Sequence, residues 1–184
     1  MDLGISGKRA LVLGASRGLG AAVVAALVAE GVHVLAGARN VGAIAASDLV
    51  EPVKIDLADP ESVTALIETV RASGGVDILV NNSGGPAAGP AKGQARTAWA
   101  AALNAMASPL FAITDGCLDA MIEKKWGRVV TIGSSGIVQP IANLGLSNGI
   151  RGAIAGWSKT LASEVAPHGV TVNMVIPGPS EWDS

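Results

Sequence analysis

Short apolar runs alternate with longer amphipathic segments along the 184 residues of the chain. Runs of about five or six mostly apolar residues predict buried strands, and apolar residues that recur every three or four positions predict helices. The predicted strands are residues 8–13, 32–36, 52–56, 76–80, 128–132 and 170–176. The predicted helices are residues 18–30, 60–72, 97–124 and 143–166, and the segment 40–51 has no clear pattern.

The regular succession of strand and helix predicts the α/β class, as a doubly wound parallel sheet of the Rossmann type with three αβα layers. Right-handed crossovers between parallel strands give the expected strand order 3-2-1-4-5-6. An apolar fraction of 49% fits a parallel sheet that is covered on both faces. Because no linker or repeat divides the chain, residues 1–184 are expected to form one domain.

Composition and charge narrow the classes of partner. A formal net charge of −2 without basic blocks disfavours binding to nucleic acid or to an anionic membrane. No apolar run approaches the roughly 20 residues of a membrane span, and no basic segment precedes an apolar signal core, so we expect a cytoplasmic protein. The single Cys117 cannot form an intrachain disulfide, and His33 and His168 are isolated, so no metal site is expected.

The first predicted strand leads into a glycine-rich turn and then into an alanine-rich helix, within Arg9–Ala21. Gly14, Gly18 and Gly20 allow a tight bend, a close approach of backbone N–H groups to a phosphate, and close contact between helix and strand. This context predicts a pyrophosphate site at the helix N-terminus, although the spacing differs from the commonest dinucleotide fingerprint. An ordinary turn between strand and helix is the alternative.

The end of the second predicted strand points to the form of the dinucleotide. An acid there would bind both ribose hydroxyls of NAD, but the chain has Ala38 followed by Arg39. Together with Arg17 in the glycine turn, Arg39 favours the 2′-phosphate of NADP(H), unless both arginines are only solvated surface charges. Asp56, after the third strand, either accepts a hydrogen bond from the adenine amino group or caps a local turn.

Five motifs in the expected order resemble the short-chain dehydrogenase/reductase family, most closely its ketoacyl-reductase-like members. They are Gly14–Gly20, Asp56–Leu57, Asn81–Gly84, Gly127–Ser134 and Val170–Gly178. The resemblance covers nearly the whole chain, and a series of this kind is highly specific. It implies a nicotinamide cofactor, a small carbonyl or alcohol substrate, and association into a homodimer or homotetramer through the helices predicted at 97–124 and 143–166.

The resemblance also implies that Asn82 and the Gly84 turn flank the adenine and ribose, and that Pro177 and Gly178 border the nicotinamide. Arg151 can hold the nicotinamide ribose. The residues expected to bind the cofactor, with NADP(H) preferred over NAD(H), are Gly14, Ser16, Arg17, Gly18, Leu19, Gly20, Arg39, Asp56, Leu57, Asn82, Gly84, Arg151, Pro177 and Gly178.

The catalytic positions depart from the family pattern. Ser134 matches the serine that binds the substrate carbonyl, but Ser147 and Arg151 occupy the positions of the family's tyrosine and lysine. Met106 occupies the position of its asparagine, and Asn104 lies on another side of the helix. The chain contains no tyrosine. Ser134, Ser147 and Arg151 are therefore the candidate catalytic residues, without a recognised proton donor, because an aliphatic hydroxyl is a much weaker acid than a phenol.

Two functions follow from an intact cofactor motif beside an altered catalytic set. One is a 3-oxoacyl-reductase-like oxidoreductase that uses NADP(H), and the other is a catalytically impaired NADP(H)-binding sensor or partner subunit. Family members usually continue beyond the Pro-Gly segment into a substrate lid and a last strand, and we expect this chain either to lack them or to be part of a longer protein. Trp182 stands where a nicotinamide-contacting threonine is common.

Overall fold

The computed structural model describes residues 3–178, and its centre is a six-stranded sheet in the order β3-β2-β1-β4-β5-β6. All neighbouring strands are parallel. The strands are β1 (Arg9–Leu13), β2 (His33–Ala38), β3 (Val50–Lys54), β4 (Ile78–Asn81), β5 (Gly127–Ile132) and β6 (Val170–Val175). The predicted α/β class, parallel sheet and strand order are therefore confirmed, and most strand ends differ from the prediction by one or two residues.

Five α-helices connect the strands. They are α1 (Gly18–Ala29), α2 (Pro60–Ala72), α3 (Arg96–Met106), α4 (Ser108–Glu123) and α5 (Gly145–Val165). Short 3₁₀ turns lie at Val41–Ala43, Ser135–Ile137 and Ala166–His168. In the segment 40–51, which has no clear sequence pattern, the side chain of Asn40 accepts a hydrogen bond from the Gly42 N–H at 3.2 Å and opens one of these turns.

The prediction of one continuous helix over 97–124 is wrong, because the chain breaks at Ala107 between α3 and α4. Pro109 lies in the first turn of α4. Proline has no N–H to donate to the carbonyl four residues earlier, and its ring crowds that carbonyl, so a helix running through this point would be disrupted. The separate helix α3 packs against α5, where the Trp99 ring lies against Gly149.

The two faces of the sheet pack against different helices. Buried side chains of α2, α3, α4 and α5 join one face in a large cluster that includes Leu11, Leu79, Ile113 and Val129. On the other face α1 packs over a smaller cluster around Val12. Helices thus lie on both sides of the sheet, as the predicted three-layer arrangement requires.

By length and composition alone, Arg96–Glu123 could cross a membrane, since an 18-residue window in it has a mean hydropathy of 1.2. However, 56% of that window is buried inside the fold, as in the core helix of a globular domain. A single segment of this kind is weak evidence for a membrane span.

Candidate cofactor and active site

The residues predicted to bind the cofactor and to catalyse follow the carboxyl ends of the strands. Because all six strands are parallel, their carboxyl ends meet at one edge of the sheet, which is where ligands bind in open α/β folds. His33 begins β2, and His168 precedes β6 by two residues, so both histidines lie at the opposite edge. Neither is placed to act at the carboxyl edge.

The glycine turn after β1 needs its glycines for two different reasons, backbone conformation and close packing. Gly14 and Gly18 have φ values of +66° and +55°, in the left-handed region that favours glycine. A Cβ atom on Gly20 would lie 2.1 Å from the carbonyl oxygen of Gly14. Gly14 and Gly20 therefore bring the first turn of α1 directly against the end of β1, and Gly18 supplies a positive φ between them.

The N-terminus of α1 offers free donors to an anion. Arg17 occupies the N-cap position with an extended backbone, no side chain caps the helix, and its first turn contains no acid. Gly18 and the side chains of Arg17 and Leu19 are exposed, and Ser16 is half-buried. The unpaired N–H groups and the helix dipole favour a negatively charged group here, so the turn fits a pyrophosphate.

Asn82 lies directly against this turn. A Cβ atom on Gly14 would lie 2.6 Å from Asn82 Nδ2, and one on Gly20 would lie 3.1 Å from the same atom. The preceding Asn81 is buried, and its Nδ2 donates to Thr114 Oγ1 of α4 at 2.9 Å. The structure thus brings the first and third motifs of the resemblance together, with α4 holding the end of β4 in place.

The residues predicted for the adenosine end lie after β2 and β3. Ala38 is the buried last residue of β2, and Arg39 after it is exposed. Asp56 Oδ1 accepts a hydrogen bond from the Ala58 N–H at 3.0 Å, so the carboxylate caps a local turn, which was the second of the two interpretations. Leu57 is half-buried and packs against the larger core cluster.

The start of α5 is fixed to the loop that follows β4. The Gly89 N–H donates to the Asn143 carbonyl at 2.7 Å, and the Gly145 N–H donates to the Gly89 carbonyl at 2.9 Å. Gly84, within the same loop, is exposed. These contacts place the first two turns of α5, and with them Ser147 and Arg151, beside the carboxyl edge of the sheet.

Arg151 is the centre of the polar contacts in this region. Its Nε donates to Ser147 Oγ at 3.4 Å, and its two terminal nitrogens donate to the Ile132 carbonyl at 3.4 Å and the Ser83 carbonyl at 3.5 Å. Burial lowers the pKa of the Arg151 guanidinium below its ordinary value. The predicted pair of Ser147 and Arg151 is therefore in contact and is tied to the ends of β4 and β5.

Ser134 is held separately, in the 3₁₀ turn after β5. Its Oγ accepts a hydrogen bond from the Gly136 N–H at 3.1 Å. A Cβ atom on Gly136 would lie 2.4 Å from Asn148 Oδ1, so α5 packs closely on this turn. Within residues 3–178, no hydrogen bond joins Ser134 to Ser147 or to Arg151.

The position of the family's asparagine is part of the core. Met106 is only 3% exposed and belongs to the larger core cluster, whereas Asn104 is exposed on another side of α3. A buried thioether neither donates a proton nor orders water as an amide does. Asn104 therefore does not replace the missing asparagine.

Two buried hydroxyl groups of this region were missed from the sequence. Ser83 and Thr131 line a small pocket together with Arg151, and both Oγ atoms lack a hydrogen-bond partner in the part of the chain that the structure describes. Ser83 gave a signal in the sequence, because it replaces the alanine of the family's Asn-Asn-Ala-Gly motif. Thr131 gave none, since β-branched residues are common in strands.

The remaining predicted positions lie at the end of the described residues. Pro177 and Gly178 follow β6 at the carboxyl edge of the sheet. Trp182 lies outside the described residues. Among residues 3–178, no three His, Cys, Asp or Glu side chains form a group that could hold a metal ion.

Comparison with known proteins agrees with this arrangement. The family model described as short chain dehydrogenase matches residues 8–183. The 3-oxoacyl-[acyl-carrier-protein] reductase of Escherichia coli is 37% identical over 189 residues, which cover 98% of this chain and 77% of the reductase.

Solved structures of similar proteins share the fold. L-sorbose reductase from Gluconobacter frateurii, complexed with NADPH and L-sorbose, is 34% identical with a TM-score of 0.90, over 97% of this chain and 72% of that one. A metagenomic short-chain oxidoreductase in complex with NADP is 30% identical with a TM-score of 0.84, over 95% of this chain and 84% of that one. The chain therefore belongs to the short-chain dehydrogenase/reductase family.

Proposed function

We propose that this protein is an NADP(H)-dependent oxidoreductase that acts on a small carbonyl or alcohol compound, in the manner of a 3-oxoacyl reductase. The observation that carries the proposal is the cradle formed by the glycine turn, Asn82 and the uncapped N-terminus of α1. A Cβ atom at Gly14 would clash with Asn82, and one at Gly20 would clash with the Gly14 carbonyl oxygen, so the cradle depends on both glycines. Backbone donors without side-chain caps at this edge suit the pyrophosphate of a dinucleotide.

Two exposed guanidinium groups support NADP(H) over NAD(H). Arg17 is the N-cap residue of α1, and Arg39 follows β2. The buried Ala38 at the end of β2 offers no carboxylate to a ribose. An arginine fork binds a 2′-phosphate through charge-assisted hydrogen bonds. The similar reductase from Gluconobacter frateurii is described with NADPH, and the metagenomic enzyme with NADP.

Ser147 and Arg151 replace the family's tyrosine and lysine. Both can form hydrogen bonds to a ligand, but neither gains or loses a proton readily near neutral pH. A bound nicotinamide would supply the hydride chemistry. In the proposed site Ser134 donates a hydrogen bond to the substrate oxygen, and Arg151 holds Ser147 and the nicotinamide ribose. Neither a serine hydroxyl nor a guanidinium releases a proton readily at neutral pH, so water completes the proton balance.

The same replacements support the second candidate, a catalytically impaired NADP(H)-binding sensor or partner subunit. Met106 is buried in the core, and Ser147 and Arg151 bond to each other and to backbone carbonyls. Such a site keeps the means to bind a dinucleotide while lacking a residue with a pKa suited to moving a proton.

One titration separates the two candidates. NADPH is added while its fluorescence is followed, and the loss of nicotinamide absorbance is then measured with a panel of small ketones. Binding with ketone-dependent absorbance loss supports the oxidoreductase, whereas binding without any turnover supports the sensor. If NADPH does not bind at all, both candidates are wrong.

A homodimer or homotetramer is also proposed, built on α3, α4 and α5. Small residues lie exposed on these helices, including Ala100, Ala101, Gly152 and Gly156. Small residues let helices of two subunits approach closely; the alternative is that these helix faces pack only on their own sheet. A cytoplasmic location and the absence of a nucleic-acid partner stay predictions from the sequence.

A further inference from the structure

Within residues 3–178, Arg151 is a partly buried cation without a counter-anion. Its three hydrogen-bond acceptors are one hydroxyl and two backbone carbonyls, all of them neutral and all at 3.4–3.5 Å. Among residues 3–178 no carboxylate lies within 4.0 Å of its guanidinium, since the ion pair of the described chain joins Lys124 to Asp77. A cation removed from water gains stability when an anion pairs with it.

The pocket beside this guanidinium contains two further polar groups that have no hydrogen-bond partner in the described part of the chain. Ser83 is 8% exposed and Thr131 is 2% exposed, and both residues line the same space, which we call the Arg151 pocket. A buried hydroxyl without a partner is costly, so such groups usually meet a ligand or a water molecule. The other side chains of the pocket are apolar, namely Leu110, Ile132, Ile137, Ile154 and Met174.

We infer that the Arg151 pocket binds a carboxylate carried by the substrate, so that the protein acts on an oxo acid or hydroxy acid rather than on a neutral ketone. This inference rests on the proposed function, because it names the substrate class of the same site. A carboxylate accepts two parallel hydrogen bonds from a guanidinium and leaves lone pairs for the Ser83 and Thr131 hydroxyls.

Charge balance favours a carboxylate over a phosphate group. The pocket holds one cation among apolar side chains, and a monoanion neutralises it, whereas a phosphate dianion would leave an uncompensated charge. A guanidinium also has two edges that carry paired donors. One edge can therefore hold the carboxylate while the other remains for the ribose of the cofactor.

The pocket must widen to admit the carboxylate. Its space is about 200 Å³, part of which is open to solvent, and in this conformation it is too narrow for a water molecule. The contacts of Arg151 are at the long end of the hydrogen-bond range, so shifting the guanidinium costs little. Binding exchanges the two weak contacts of the terminal nitrogens with backbone carbonyls for charge-assisted ones, while Nε keeps its bond to Ser147 Oγ.

The test compares acetoacetate with its methyl ester, two ketones of similar shape that differ in the carboxylate. Their binding to the full chain is measured by calorimetry and by the NMR shift of the Arg151 Nε–H group, which is assigned from the Arg151→Met variant. We expect acetoacetate to bind at least roughly tenfold tighter than the ester, because one charge-assisted interaction has about this worth. Arg151→Met should remove the difference.

Two further variants locate the effect. Lys159→Met removes an exposed cation from the same helix, outside the pocket, and should keep the full preference for acetoacetate. Thr131→Val removes a buried hydroxyl that has no partner, so it should fold at least as stably while binding acetoacetate severalfold more weakly. This variant keeps the test valid if Arg151→Met fails to fold.

Equal binding of acetoacetate and ester, or no measurable binding of either, overturns the inference. So does a preference that survives in both Arg151→Met and Thr131→Val. NADPH binding is followed separately by fluorescence, so that a failure of the proposed function can be told apart from a failure of the proposed substrate class. If NADPH binds but the carboxylate gives no preference, only the substrate class is wrong. If NADPH does not bind, the proposed function is wrong, and the claim about the substrate is wrong with it.

Discussion

The Nε–H of Arg151 donates to the Oγ atom of Ser147 at 3.4 Å, one turn earlier on α5. One lone pair of this hydroxyl is thereby occupied, so its own proton is left to donate to another group. Because the guanidinium is positively charged, it also strengthens Ser147 as a donor. The pair can hold a substrate oxygen, but neither member can take the part of a tyrosine of lowered pKa.

We expect slow reduction of ordinary ketones by the native protein, and a gain of activity when the family's residues are restored. The double change Ser147→Tyr with Arg151→Lys should raise turnover by about 10²- to 10⁴-fold, the usual worth of general acid–base catalysis. NADPH oxidation with activated ketones measures it. Met106→Asn is added last, because it places an amide at a position that is 3% exposed and is expected to destabilise the fold.

The control is Ser134→Ala, added to the variant that carries Ser147→Tyr and Arg151→Lys. It should remove most of the gain in turnover, because it deletes the hydrogen bond to the substrate oxygen. Folding and NADPH binding are checked first, since the ring introduced by Ser147→Tyr needs more space than the native side chain. Native turnover of several per second that Ser147→Ala leaves unchanged would show that the site works by another route.

NADPH should bind more tightly than NADH, and Arg17 and Arg39 should provide the difference. Each guanidinium that bonds the 2′-phosphate is worth roughly tenfold or more in affinity. Arg17→Ala with Arg39→Ala should therefore bring the two dissociation constants together, as measured by cofactor fluorescence at moderate salt. The exposed Arg96, at the start of α3, supplies a matched control, because its removal should leave the preference intact. Equal affinities in the native protein would contradict the prediction.

Gly20→Ala should abolish dinucleotide binding and destabilise the domain. Its methyl group would lie 2.1 Å from the Gly14 carbonyl oxygen, so α1 has to move away from β1. Gly152→Ala is the control, because it also lies in a helix but has no atom within 4 Å of the added carbon. That change should raise stability by roughly 0.5–1 kcal/mol. Urea unfolding and NADPH titration of both variants provide the comparison, and normal binding by Gly20→Ala would refute the argument.

The buried thiol of Cys117 should lower stability at alkaline pH. Burial raises its pKa from 9.0 to about 12. Between these two pH values the folded chain keeps a proton on the thiol that the unfolded chain has lost. The free energy of unfolding therefore falls by up to about 1.4 kcal/mol per pH unit as pH rises. Urea unfolding from pH 8 to 11 should show a shallower decline for Cys117→Ala than for the native chain. Identical slopes would exclude the effect.

Light scattering at tens of micromolar should give the mass of a dimer or tetramer. Gly156→Glu places a charge on an exposed helical face where nothing lies within 4 Å of the added carbon, so the monomer should fold normally while association weakens. Lys159→Gln removes a charge at an exposed position of the same helix and should weaken association less than Gly156→Glu does. A native monomer at this concentration would count against association through these helices.

Much of the fold could be predicted because its signals are local. Apolar runs in Ala10–Leu13 and Ile78–Val80 give buried strands in any parallel sheet. The glycines of the first turn are needed because the turn requires a positive φ or a close backbone approach within a few residues. The break at Ala107 escaped prediction, although Pro109 indicated it, because the apolar pattern continues through both helices. A periodic apolar pattern indicates which face of a helix is buried, but it does not indicate whether the helix is continuous.

Residue identity and spacing were enough to establish the family, the glycine turn, and the replacement of tyrosine and lysine by Ser147 and Arg151, since each of these depends on one segment of the chain. Three-dimensional packing was needed to show that Asn82 lies against Gly14. It also brought Ser83 and Thr131 beside Arg151. This last relation joins strands β4 and β5 to helix α5, and contacts between elements distant in the chain arise from packing, which no local pattern encodes.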